Sequence, residues 1–191
     1  MDRRIWRVSF LSLVAVSVCA SAQQGDSVAK ISGPLQAAIK KVSPTARVLQ
    51  ASEVDMENCE QVPKTPGLVK ADFNGDGLED AAALLVEHGS LKTYVAKGGG
   101  KYRRATFLFV ILLNDGKGGY VTPTRERYSD GFPAWHFLTL VPAPQVFHGG
   151  VDDEETLELR NPGVMLTYCS KSASVYGVTG FKVRTIDLLS E

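Results

Sequence analysis

Hydrophobic and polar positions change period several times along this chain, and each change marks an element. Leu35, Ala38, Ile39 and Val42 recur at helical spacing between Pro34 and Pro44, which predicts a short helix opened by one proline and stopped by the next. Val48 and Leu49 suit the start of a strand, and VPKTPG at 62–67 is a connector. From Ala81 to Val86 every residue is apolar. The length of that run favours a strand buried on both faces, although period alone does not separate it from a helix. A strand containing Tyr94 and Val95 and the run TFLFVILL at 106–113 follow, separated by the turn residues of KGGGKYRR at 97–104. NDGKGG at 114–119 carries hairpin chemistry. Residues 157–189 alternate, with breaks at Asn161-Pro162-Gly163 and Val178-Thr179-Gly180, and predict three short strands that close the sheet. The expected fold is a single α+β domain, mostly antiparallel β-sheet with a short N-terminal helix, over residues 34–191. That length suffices for one full core.

The first residues bear on the compartment. Arg3, Arg4 and Arg7 precede an apolar stretch from Val8 to Val18, and Ala20-Ser21-Ala22 offers small residues for cleavage. This is the pattern of a secretory signal peptide over residues 1–22, cut after Ala22. Cys19 would suit a lipoprotein signal, but Val18 is unfavourable immediately before a lipidated cysteine. Residues 23–33 form a polar leader, and no later apolar run has the length of a membrane span. Cleavage removes three Arg against one Asp from a formally neutral chain, so the remainder carries a small negative balance. Neither Lys40-Lys41 nor Arg103-Arg104 makes a patch that argues for nucleic acid. Cys59 and Cys169 remain, and in a periplasmic or secreted protein pairing is their default, the alternative being two separate buried thiols.

ADFNGDGLEDAAALLV at 71–86 places oxygen-bearing side chains at alternate positions around a glycine turn. With Asp72 at loop position one, Asn74 and Asp76 fall at three and five, Gly77 at six, the Leu78 carbonyl at seven and Asp80 at nine. Calcium takes about six to eight oxygen ligands, and the turn that gathers them needs a residue free to adopt positive φ. Without a counter-ion, each close pair of carboxylates here costs on the order of 1–4 kcal/mol. An ordinary metal-free turn uses the same residue types. Position twelve is Ala83 where a helix–loop–helix calcium hand needs Glu, so that motif is excluded. The loop and the apolar run after it resemble the FG-GAP or VCBS type of repeat, in which a D-x-N-x-D-G-x-x-D calcium loop leads into a strand. LLNDGKGGYV at 112–121 is similar to the hairpin ending such repeats, so the resemblance covers residues 71–123. It implies an ion site of Asp72, Asn74, Asp76, Leu78 and Asp80. One such unit does not make a propeller, which needs at least about four blades.

Residues 128–155 combine Phe132, Trp135, His136 and Phe137 with Pro and Gly. They form either an aromatic partner surface on a loop at 128–150, with Phe132, Trp135 and His136 exposed, or a plug in which Trp135 and Phe137 close one end of the core. Asp152 to Glu155 make a solvated acidic run more readily than a second cation site. No G-x-S-x-G elbow, H-E-x-x-H helix or Walker-type loop is present, and Ser129, Asp130 and His136 have no spacing that marks a triad. The leading expectation is an exported protein braced by calcium (Ca2+), structural or ligand-binding, with an unidentified protein or small molecule as partner. A periplasmic inhibitor or immunity-type protein using the 128–150 segment is the alternative, and a hydrolase is a third.

Overall fold

The computed structural model describes residues 31–55, 59, 61–90, 92–95, 99, 101–149, 155–169 and 171–189. The expected signal peptide at residues 1–22, residues 23–30 of the expected polar leader, Gly98, Gly100 and Asp152 to Glu154 lie outside the described residues. Helix α1 spans Gly33–Val42, with the Ser32 side chain accepting the Leu35 N–H, Pro34 in the first turn, and an end at Ser43 before Pro44. Its apolar stripe buries Leu35 and Ile39.

Six strands form the first sheet, and every pairing in it is antiparallel: β1 (Ala46–Val48), β2 (Leu68–Ala71), β3 (Asp80–Glu87), β4 (Lys92–Val95), β5 (Lys101–Asn114) and β6 (Tyr120–Gly131). The long strand β5 is its spine, pairing with β4 at residues 101–104, with β3 at 107–112 and with β6 from 105 to 114. Strands β1 and β2 divide β3 between them, meeting Val86 and Ala83 respectively. The changeover is at Leu84, whose carbonyl accepts the Leu49 N–H and whose own N–H donates to the Gly67 carbonyl, both at 2.9 Å. Gly67 lies so close there that a Cβ would strike the Leu49 backbone.

The second sheet has the order β12–β11–β10–β7, built from β7 (His136–Val141), β10 (Gly163–Tyr168), β11 (Ser172–Thr179) and β12 (Lys182–Leu189). A separate hairpin of β8 (Gln145–His148) and β9 (Thr156–Leu159) completes the described strands.

Alternation along β5 explains why its sequence looks uniformly apolar. Phe107, Phe109, Ile111 and Leu113 pack with Leu138, Val164, Leu166 and Tyr176 of the second sheet. Leu108, Val110 and Leu112 face the other way, toward Leu35 and Ile39 of α1. Both faces of the first sheet are therefore covered, and β3 needs no polar alternation. Leu157 and Leu159 of the hairpin cover Val141, Val175 and Ile186 on the outer side of the second sheet. The result is a layered α+β domain: helix, sheet, sheet, hairpin. Each fully buried Leu, Ile or Phe contributes about 1.5–3 kcal/mol.

Two expectations need correction. The last third holds four strands, and three of them build a second sheet with β7, whereas three strands closing a single sheet were expected. The turn between β10 and β11 carries Cys169 and Lys171 and no Gly or Pro, so nothing in the pattern marks it. Segment 128–150 is not one loop: it runs through the end of β6, a 3-10 turn at Pro133–Trp135, β7 and β8. Its prolines sit at the turns, while Phe137, Leu138 and Val141 are core. No helix among the described residues is long and apolar enough to cross a membrane.

Candidate functional site

Between β2 and β3, residues 72–79 form a surface loop folded around its own carboxylates, with Phe73 buried in the core. The Asp72 carboxylate accepts three main-chain N–H groups: Gly75 at 2.7 Å and Asp76 at 3.1 Å on Oδ1, and Gly77 at 2.8 Å on Oδ2. Asn74 Oδ1 accepts the Asp76 N–H at 3.1 Å, and Asp76 Oδ1 accepts the Leu78 N–H at 2.9 Å. Such closure needs two residues in the left-handed region, and Gly75 and Gly77 supply them at φ 80° and 85°.

Asp80, the first residue of β3, is fully buried. Its Oδ2 accepts the Phe73 N–H at 3.0 Å and its Oδ1 the Asn114 N–H at 2.8 Å. The side chain therefore latches the loop to the last residue of β5. Burial pushes the Asp80 carboxyl up, the Asn114 and Phe73 amides pull it down, and the charge of Asp76 pushes it up again. The β5–β6 turn, with the same Asn-Asp-Gly chemistry, lies against the loop: a Cβ on Gly116 would sit 3.3 Å from Leu78 Cδ1. In that turn the amides of Lys117 and Gly119 hold the Asp115 carboxyl below the usual range. Asn161, from the turn between β9 and β10, packs on Gly75.

Of the five positions expected to hold an ion, Asp72, Asn74, Asp76 and Leu78 lie on one short loop and Asp80 begins the strand that follows it. Among the described residues Asp72, Asp76 and Asp80 form no ion pair with a basic side chain; Lys70 pairs with Glu79 instead. No three Asp, Glu, His or Cys side chains among the described residues converge in a ready ligand shell. The neighbours Asn114 and Asn161 carry no signal in the sequence that places them here.

Cys59 and Cys169 form a disulfide with Cα atoms 4.9 Å apart. It lies beside the 3-10 turn, whose Ala134 carbonyl accepts the Asp55 N–H and whose Trp135 carbonyl accepts the Cys169 N–H, both at 2.8 Å. Phe132 and Trp135 stack at 4.7 Å, the Trp135 Nε1–H donates to Asp55 at 3.2 Å, and Lys171 lies over the rings of Trp135 and Tyr168. Arg104 covers Phe132 at 4.6 Å and pairs with Asp130 at 2.8 Å. His136 stacks on Tyr168 at 4.7 Å with Nδ1 against the Phe132 carbonyl, and burial holds its imidazole below the usual value. Phe132, Trp135 and His136 are thus half-buried members of one stack, while Phe137 belongs to the core. Beside them Glu53, Asp55, Lys101 and Arg103 line a cleft of about 260 Å³. Asp130 turns to Arg104 and His136 to a main-chain carbonyl, so Ser129, Asp130 and His136 are not brought together as a relay.

Compared with protein-family models, with curated proteins and with solved structures, the chain matches none.

Proposed function

We propose that this is an exported protein whose 72–80 loop takes calcium as a structural brace, in the manner of the FG-GAP or VCBS-type unit it resembles. The observation that carries the reading is electrostatic. Asp72, Asp76 and Asp80 lie together without a basic partner among the described residues, and the buried Asp80 carboxyl feels the charge of Asp76. A divalent cation would relieve that repulsion. The captured amides leave room for an ion, because each carboxylate oxygen has two lone pairs, and Asp72 Oδ2 and the two Asp76 oxygens each accept a single hydrogen bond. Asp72, Asn74, Asp76, the Leu78 carbonyl and Asp80 would hold it. With a dissociation constant of about 0.1–1 mM and about 1 mM calcium, occupancy adds roughly 0.4–1.4 kcal/mol, a brace more than a switch. Calorimetric titration of chelator-stripped protein should show saturable heat and a rise in melting temperature, both lost in Asp76→Ala. Absence of heat together with superimposable melting curves with and without chelator rules the brace out.

The aromatic end supports a second reading, capture of a protein or small-molecule ligand. Lys101 and Arg103 line the cleft beside the Phe132–Trp135 stack. Trp135 is the only tryptophan after the signal segment, so its fluorescence reports on this cleft alone. A ligand seated there would quench it saturably in the wild type and not in Arg103→Glu. Quenching that survives that substitution would place the ligand elsewhere.

A further inference from the structure

Asn74–Gly75 is the only Asn-Gly pair in the sequence, and it lies in an exposed turn. A glycine after asparagine leaves the main-chain nitrogen unhindered, so such pairs are prone to cyclise. We propose that Asn74–Gly75 is a deamidation site held shut by the Asp72 carboxylate. In the reaction the Gly75 nitrogen gives up its proton to solvent base and attacks Asn74 Cγ. The new C–N bond closes a cyclic imide, the Cγ–Nδ2 bond breaks, and ammonia leaves with a proton from solvent. Water then opens the imide at either carbonyl, giving Asp or an isoaspartyl linkage. One water is consumed and one ammonia released, with no change of oxidation state.

Four contacts oppose the first step. The proton that must leave Gly75 N is held by Asp72 Oδ1 at 2.7 Å, and its removal would set an anionic nitrogen against an anionic carboxylate. The electrophile is pinned as well. Asn74 Oδ1 accepts the Asp76 N–H at 3.1 Å while Nδ2 donates to Asp76 Oδ2 at 2.9 Å, which turns the amide toward residue 76. Asn161 packs where a Gly75 side chain would stand, 2.8 Å from an ideal Cβ, and restricts movement of that peptide. Asp72 guards the Asp76–Gly77 pair in the same way, through the Gly77 N–H on Oδ2 at 2.8 Å.

The consequence is a chemical record of loop opening. Conversion to Asp adds a carboxylate to a loop already crowded with them, and an isoaspartyl link inserts a methylene into the main chain, which the Asp72-centred turn cannot accommodate.

The test is peptide mapping by mass spectrometry after incubation at mildly alkaline pH, with chelator in every arm so that a bound ion plays no part. Folded wild type should convert slowly. Asp72→Ala should convert about tenfold faster or more, the factor that loss of one charge-assisted hydrogen bond supplies. Asp72→Asn preserves the shape and should fall between them, which covers the case in which the alanine variant does not fold. Asp115→Ala, in the neighbouring turn, should match the wild type. Equal rates for wild type and both Asp72 variants would overturn the proposal, as would a folded wild type that converts as fast as the denatured chain.

Discussion

Replacing Asp80 with Ala removes the acceptor from two main-chain donors at once, the buried Phe73 N–H and the half-buried Asn114 N–H. A hydrogen bond to a charged group contributes about 1.5–3 kcal/mol, and a buried donor left without a partner costs about 1–3 kcal/mol. Part of this is already offset, because burial pushes the Asp80 carboxyl up and thereby weakens the ionised form. The expected net loss is about 2–4 kcal/mol. With a urea dependence of about 2 kcal/mol per M, the unfolding midpoint should fall by about 1–2 M. Asp80→Asn keeps one acceptor but turns an NH2 toward the other donor, so it should lose at least half as much. Both variants belong in chelator, where an ion contributes nothing and only the latch is measured. A loss below about 1 kcal/mol for Asp80→Ala would show that the loop is not tied to the end of β5 by this side chain.

Three further outcomes are expected. Gly67→Ala should destabilise by about 1–3 kcal/mol in chemical denaturation, because its Cβ meets Leu49 backbone that cannot swing away; a neutral result would mean that β1 and β2 do not abut there. Replacing Cys59 and Cys169 together by Ser should cost about 2–5 kcal/mol, since the bridge closes a separation of 110 residues, and an unchanged midpoint in the double variant would contradict this. His136 has its folded value below the unfolded 6.5, so its contribution is complete above that value and is lost as pH falls through the folded one. Melting temperature should decline from about pH 7 to about pH 5, and His136→Phe, which keeps the ring stack, should flatten that decline; equal slopes would refute the assignment.

Where a single local rule decided the outcome, the pattern was enough. Two prolines bounded α1, the Ala81–Val86 run became β3 because both faces are covered, and NDGKGG made its hairpin. The pairing of Cys59 with Cys169 followed from there being two cysteines after residue 22. What stayed hidden was decided by contacts distant in sequence. Asp80 occupies the position of a ligand in the loop spacing, and nothing local shows that its oxygens also hold the far end of β5. Trp135 and Phe137 are two residues apart and equally apolar, yet one joins an aromatic stack and the other the core, because the 3-10 turn ends between them.

The long strand β5 separates the two regions where ligands are proposed. Asp80 grips its last residue, whereas Arg104 and the aromatic stack stand near its first. Ten steps of about 3.3 Å put roughly 30 Å between them. Substitutions at the two regions should therefore act additively on stability. Cross-talk would require the whole sandwich to shear, which a core packed from both sides resists. Whatever the protein meets at its aromatic pole, it should meet with the same strength whether the opposite pole carries a cation or not.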